Sequence, residues 1–177
     1  GDTAFHLACQ EGQLDVINIL LENAANLMID LNAKGFERKT AFIWACYHGH
    51  LDVIKMFMEN AAAFSIDLKA KDDYGGTGFM WACNNGHTDV VKILMQNAAK
   101  LSLDLNTKDH YGRSAFLLAS FKGHKHVVKI FMENAMTFDI DIHSKDTRGS
   151  TGFHLACQSG VTDVVKIFMQ NAAKINF

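Results

Sequence analysis

The chain contains no proline at all, so none of its helices can start on a ring that presets φ at the first helical position. An excess of charge is missing too, because 17 Lys and Arg face 19 Asp and Glu for a formal net charge of −2. That balance argues against broad binding to nucleic acid or anionic lipid, since a phosphate-tracking protein is strongly basic. No apolar run approaches the roughly 20 residues of a membrane helix, and the chain opens Gly1, Asp2, Thr3 without a signal or transit peptide. A soluble protein with no membrane insertion is expected. Cysteine is sparse: Cys9, Cys46, Cys83 and Cys157 all occupy one recurring position. Neighbouring helices lie about 8–10 Å apart, whereas a disulfide needs Cα atoms within about 6.8 Å. The four are therefore expected to be free, buried thiols in a reducing, cytoplasmic setting, with the nucleus not excluded. Phosphate loops, zinc-deaminase or metalloprotease spacings and glycine fingerprints are absent.

What the chain does have is a period. Thr3, Thr40, Thr77, Ser114 and Thr151 stand 37 residues apart, and each opens the same phrase: TAFHLAC, TAFIWAC, TGFMWAC, SAFLLAS, TGFHLAC. A period of this size without an insertion means a stacked array, in which each unit touches only its neighbours. Such an array offers long open faces rather than the enclosed pocket that catalysis usually needs. The hydrophobic content of 49% is spread evenly over the units, so the core is expected to be linear.

Within one unit, Thr40 supplies an N-cap hydroxyl, Phe42 to Cys46 follow as a short apolar run, and Gly49 stops the helix. From His50 to Phe64, Val53, Ile54, Phe57, Met58 and Ala61 recur at helical spacing, which predicts a second, antiparallel helix. Ile66, Asp67 and Leu68 alternate as a strand would, and Asp72 to Gly76 carry turn residues. A hairpin-like loop is expected to lead to the next unit.

Helix, helix and projecting loop, with D-x-x-G-x-T before the first helix and G-H-x-x-V-V between the helices, resembles the ankyrin repeat over the whole chain. Asp72, Gly75, Thr77, Ala82, Gly86, His87, Val90 and Val91 carry the pattern in unit three, and Asp109, Gly112, Ser114, Ala119, Gly123, His124, Val127 and Val128 in unit four. The resemblance implies an all-α, ankyrin-type solenoid of stacked antiparallel helix pairs with projecting β-hairpin-like loops, one domain over 1–177 with units starting at about 3, 40, 77, 114 and 151. Three departures stand out. The family's period is usually 33, and the four added residues match one helical turn of about 3.6 residues. Because Asn-Ala-Ala replaces the usual Gly stop, the extra length is assigned to the second helix, with Leu27, Phe64, Leu101 and Phe138 as its anchors. The family's T-P-L-H becomes Thr, Ala or Gly, then Phe, which puts a larger side chain into the seam. Unit one's loop, Gly35 to Lys39, has lost both the Asp and the Gly.

Histidines are numerous, nine in all, but His50, His87 and His124 hold the family's G-H position, where the ring is implied to bond loop backbone. His6 and His154 match the family's cap histidine. No third ligand stands at workable spacing for zinc, so no metal and no cofactor is expected. Cys46 and His48 are two apart on a helix and point to different sides, so they cannot form a nucleophile–base dyad alone. No enzymatic activity is expected. Lys34, Lys71, Lys108 and Lys145 share one loop position and read as a solvated edge, with docking of an acidic partner as the alternative. Trp44 and Trp81, at the Leu position of the first helix, are expected to pack in the core with their N–H groups needing acceptors.

Residues that repeat build the stack, so recognition should lie on those that vary. At the loop tips these include Phe36, Glu37, Asp73 and Tyr74, followed by His110, Tyr111, Arg113 and Arg148. At the ends of the first helices they include Tyr47, His48, Asn84 and Asn85, followed by Phe121 and Lys122. The resemblance implies that both sets line a concave, partner-binding face, and Tyr, Phe and Arg are enriched at interface hot spots. Asn32 and Asn106 resemble the family's asparaginyl hydroxylation position. Both terminal units keep apolar outer faces, with Val16 and Ile19 at one end and Val165 and Met169 at the other. A piece of a longer array is expected from this, with end-to-end self-association into an oligomer or filament as the alternative. The expected function is a non-catalytic protein-interaction scaffold. The other readings are a self-assembling structural array and a cytosolic module of a larger channel, adaptor or enzyme.

Overall fold

A computed structural model describes residues 1–175. Unit one holds α1 (Ala4–Gln10) and α2 (Leu14–Glu22), and unit two holds α3 (Ala41–His48) and α4 (Leu51–Asn60). Unit three comprises α5 (Gly78–Asn84), α6 (Thr88–Gln96) and the short α7 (Ala98–Leu101). Unit four has α8 (Ala115–Lys122) and α9 (Lys125–Asn134), and unit five has α10 (Gly152–Gln158), α11 (Thr162–Gln170) and α12 (Ala172–Ile175). The recurring hydroxyl begins each first helix: Thr40, Thr77 and Ser114 accept from the backbone N–H three residues on, at 3.3, 3.3 and 3.4 Å. These bonds satisfy N–H groups that a helix start leaves unpaired. In unit one the cap is doubled, because Thr3 also donates its backbone N–H to His6 Nδ1 at 3.1 Å while His6 Nε2–H reaches Ala33 O at 2.8 Å.

The G-H histidines tie units together as implied. His50, His87 and His124 donate from Nε2 to the carbonyls of Gln10, Tyr47 and Asn84, each 2.7–2.8 Å away and each at the end of the preceding unit's first helix. The glycine there is a matter of space as well as conformation. Gly49 sits at φ +79, and a Cβ on it would stand 2.4 Å from His87 Nδ1.

First helices pack on one another in the row α1, α3, α5, α8, α10 more closely than the second helices do. The stack therefore bends towards the first helices, which makes their side the concave one. Between the rows lies a phenylalanine seam. Phe57 meets Phe5 and Phe42 edge-on at 5.9 and 5.6 Å, Phe131 meets Phe79 and Phe116 at 6.1 and 5.9 Å, and Phe168 meets Phe116 and Phe153 at 5.8 Å each. Each ring thus joins two successive units in the T-shaped geometry that aromatic pairs favour.

The added turn follows the second helix, but with a jog. The Asn of Asn-Ala-Ala turns its side chain back to donate to the carbonyl four residues earlier, as Asn60 does to Met56 O and Asn97 to Ile93 O, both at 2.9 Å. In unit three the helix breaks there, at Asn97 with φ −102 and ψ 4, and α7 forms the extra turn. Two of the four expected anchors hold, since Leu101 and Phe138 are partly buried against the core, whereas Leu27 is 64% and Phe64 37% exposed. Ala24, Ala98, Ile66 and Ile140 take the buried positions instead. Each turn ends in a Schellman arrangement in which Ile29, Ile66, Leu103 and Ile140 donate to the carbonyl five residues back. Its left-handed residue is Met28, Ser65, Ser102 or Asp139, with φ between 50 and 52 and no glycine among them. A left-handed L-residue costs about 1–2 kcal/mol, and Met28 is 92% exposed. Met28→Gly is therefore expected to stabilise the protein by about 0.5–1 kcal/mol once the extra freedom of glycine in the unfolded chain is counted. A urea midpoint lower than that of the parent would contradict this.

Ile66–Leu68 does not form the strand that its alternation predicts. No strand occurs among the described residues; the segment runs in turns, because Asp67 and its counterparts bend the chain by accepting from the backbone N–H two residues on. Cys157 is exposed, unlike Cys9, Cys46 and Cys83, because in the described structure no further unit covers its side of α10.

Candidate protein-binding face

Loop tips and first-helix ends meet on the concave side. Three of the tips are closed by one carboxylate oxygen: Oδ1 of Asp72, Asp109 and Asp146 accepts from the N–H groups two and four residues on, at 2.8–2.9 Å. Adjacent tips are linked backbone to backbone, from Asp73 N to Glu37 O, His110 N to Tyr74 O and Thr147 N to Tyr111 O, at 2.9, 2.8 and 3.0 Å. The row of tips is thereby fixed before any partner arrives.

Unit one's tip, with Gly35 in place of Asp, closes differently. Asp2 Oδ1 accepts from Phe36 N at 2.8 Å, and Glu37 and Arg38 both adopt φ 53. Arg38 holds the place where the other tips have a left-handed glycine, so this tip is strained. What holds it is Lys39, whose side chain folds inward until the residue is 2% exposed. Its ammonium lies 5.1 Å from the Trp44 ring centroid, 5.0 Å from Trp81 and 5.9 Å from Tyr74, and pairs with Glu37. Tyr74 donates its hydroxyl to Glu37 Oε1 at 3.1 Å. The bond from Lys39 holds the Glu37 carboxyl below its ordinary range, while Glu37 pushes the Tyr74 hydroxyl up.

The spaces between successive units form a series. Between units two and three, Lys39 fills the space. Between units three and four, Tyr74, Trp81, Asn84, Asp109, Arg113 and Leu118 leave only about 50 Å³. Between units four and five, Tyr111, Arg113, Phe121, Asp146, Ser150 and Leu155 line an open niche of about 290 Å³.

Three copies of the ankyrin-repeat family model match this chain, over residues 1–67, 26–107 and 79–177. The chain belongs to the ankyrin-repeat family. No curated protein matches it. Ankyrin repeats are generally protein–protein interaction modules, and in this ankyrin array no helix of the described residues is long and apolar enough to cross a membrane.

The residues singled out from the sequence distribute unevenly over the ankyrin array. Tyr111, Arg113, Phe121 and Arg148 come together on the open niche. Arg113 is oriented there by its own tip, with Nε and Nη2 2.8 and 2.7 Å from Asp109 Oδ2 and its guanidinium 4.7 Å from the Tyr111 ring centroid. Lys122 extends over Phe121 at 6.0 Å. Glu37 and Tyr74 gather instead around the buried Lys39, and Tyr47 packs on the two tryptophans beside it, 5.7 Å from Trp44 and 5.2 Å from Trp81. His48 keeps one side exposed and stacks on Trp44 and His50 at 5.9 and 6.0 Å; partial desolvation against these neighbours, and then the charge of His50, push its pKa down. Asn85 donates to Tyr47 O at 2.7 Å and accepts from Asn84 at 2.9 Å, so this pair is engaged in the scaffold. Asp73 pairs with Arg38 at 3.6 Å, and Phe36 and His110 are exposed, the His110 ring lying beside Gly75.

Trp44 and Trp81 are a correction to the expected core packing: both are partly buried and line the concave face. Trp81 Nε1 donates to Asp72 Oδ2 at 2.7 Å, whereas Trp44 Nε1 is buried without a partner among the described residues. Gly35 stands where unit three has that Asp, so the acceptor is missing. Burial pushes the Cys9 thiol up to about 12 and those of Cys46 and Cys83 well above their ordinary range, the opposite of what an activated nucleophile needs. The amides of Asn32 and Asn106 span two units. Asn32 donates to Ser65 O and accepts from Asp67 N at 2.9 and 2.8 Å, and Asn106 does the same with Asp139 and Asp141 at 2.6 and 2.9 Å.

Proposed function

We propose that the concave face of this array binds a protein partner, without catalysis, as a scaffold in the cytoplasm or nucleus. The observation that carries the reading is the open niche between units four and five, flanked by tips that are already locked to one another. A preorganised face of this kind loses little conformational freedom on binding, which leaves more of the contact energy as affinity. The exposed Tyr111 and Phe121 and the half-buried Arg113 line it, and the exposed Tyr74 stands one unit further along the same face; these are the side chains on which hot spots are built. A partner captured from native extract should bind the triple variant Tyr74→Ala, Tyr111→Ala, Arg113→Ala at least about tenfold more weakly, since two or more hot-spot contacts are worth over 1.4 kcal/mol. Unchanged affinity would reject this face.

Hydroxylation of Asn32 or Asn106 belongs to the same reading. A mass increase of about 16 Da on those peptides from the native cell is its signature, and unmodified peptides only would remove it.

Self-association is a second reading, favoured by the end faces. Leu7, Val16 and Ile19 are 52%, 46% and 60% exposed at one end, and Met169 is 59% exposed at the other. Side chains of this kind are covered within the array and invite head-to-tail contact. Light scattering coupled to size exclusion decides this, because a monomer at every concentration excludes it.

A further inference from the structure

Three equivalent carboxylates, Asp72, Asp109 and Asp146, stand at the inner side of successive tips. Each spends Oδ1 on its own turn. Their second oxygens differ. Asp72 Oδ2 receives the indole N–H of Trp81, from the first helix that follows, at 2.7 Å. In the next unit that helix position is Leu118, and Asp109 Oδ2 receives the guanidinium of Arg113 from its own tip instead, at 2.8 Å from Nε. In unit five both sources are gone, since Leu155 stands at the tryptophan position and Ser150 at the arginine position. Asp146 Oδ2 has no partner among the described residues, and the niche of about 290 Å³ opens beside it. The absent donor and the open space coincide.

We infer that this niche receives the indole of a tryptophan from a protein partner, which donates its N–H to Asp146 Oδ2 and stacks against Tyr111 and Phe121. Both donors used inside the chain are planar N–H groups, so the site selects a flat donor. Of the two, the neutral indole suits the niche better, because Arg113 and Arg148 already line it with positive charge, and Leu155 and Phe121 offer apolar walls. A guanidinium would meet two like charges there. This inference rests on the concave face being the partner-binding surface.

The test uses N-acetyl-L-tryptophanamide titrated into ¹⁵N-labelled protein, read by amide shifts at Tyr111, Asp146, Ser150 and Gln158. Saturable shifts confined to these residues are expected. The N1-methylated analogue, which lacks the donor, should bind at least about fivefold more weakly, the worth of one hydrogen bond. Asp146→Asn should weaken the parent probe to a similar degree, because its amide oxygen can keep the turn while the second oxygen becomes a donor. Leu155→Trp should fill the niche from within and abolish the shifts, which gives a second variant should Asp146→Asn disturb the tip. Equal binding by the N1-methyl analogue, shifts unaffected in Asp146→Asn, tighter binding of N-acetyl-L-argininamide, or no saturable shift would each overturn the inference. If the probe fails while the Tyr74, Tyr111 and Arg113 variant still loses its captured partner, the indole site falls and the binding face stands. Loss of neither sinks both.

Discussion

Phe131→Ala is expected to lose about 3–5 kcal/mol, the range for emptying a buried aromatic position, and to change the form of unfolding as well. Phe131 is 0% exposed and its ring meets Phe79 of unit three and Phe116 of unit four. In a linear array, stability is a sum of unit terms and nearest-neighbour interface terms. Most single core substitutions weaken one unit; this one removes a shared contact between two. The expected urea transition, followed by helix circular dichroism, therefore moves to lower denaturant and becomes broader, as units on either side of the damaged interface unfold separately. Hydrogen exchange should show α8 and α9 opening before α3 and α4. A transition that shifted without broadening would show that the seam does not couple the units, and a loss under about 1 kcal/mol would show that the stack collapses into the vacated space.

How legible this was in the sequence depends on how far each interaction reaches. The hydroxyl caps act within three residues, so Thr40, Thr77 and Ser114 could be placed directly. The G-H histidines act about one unit away, 40 residues for His87 to Tyr47, and were legible only through the family resemblance. Concealed from both were the backbone devices. The left-handed endings at Met28, Ser65, Ser102 and Asp139 have no one residue type in common, because hydrogen bonds of the Schellman turn rather than side chains impose them. The strand expected at Ile66–Leu68 failed for a related reason: alternation is a real signal, but the carboxylate of Asp67 captures the backbone before it can extend. The concave face was legible as a set of variable positions and not as a site. Its most buried charged member, Lys39, sits next to a cap threonine and looks like a surface residue until Trp81, from the following unit, is brought over it. Two tryptophans at successive leucine positions were the available signal, and the change of donor from Asp72 to Asp109, with none on the second oxygen of Asp146 among the described residues, completes it.

Lys39 carries the second large effect. Replacing it with Ala is expected to cost about 2–3 kcal/mol. A desolvated ammonium on aromatic faces is worth about 2 kcal/mol or more, and here three rings lie within 5.9 Å. Its pair with Glu37 adds less than a fully buried pair would, since the Glu37 side chain is 31% exposed and partly screened by solvent. Lys39→Met, which keeps most of the stem and loses the charge, should recover part of the loss by still filling the space between Trp44 and Trp81. Because those are the two tryptophans of the chain, the urea midpoint can be followed by their own fluorescence, which should shift to the red in Lys39→Ala. The pH dependence separates charge from packing. Glu37 has a folded pKa below its ordinary value, chiefly through the bond from Lys39. A depressed carboxylate contributes stability that is fully present above its unfolded pKa, about 4.3 for Glu, and is lost as pH falls through the folded value. The parent protein should therefore lose this increment below about pH 4, and Lys39→Met should lack that decline, so the two midpoints converge in acid. Parallel curves down to pH 3 would mean that Lys39 holds the strained tip by packing alone, and a midpoint for Lys39→Ala equal to that of the parent would mean that it does not hold the tip at all.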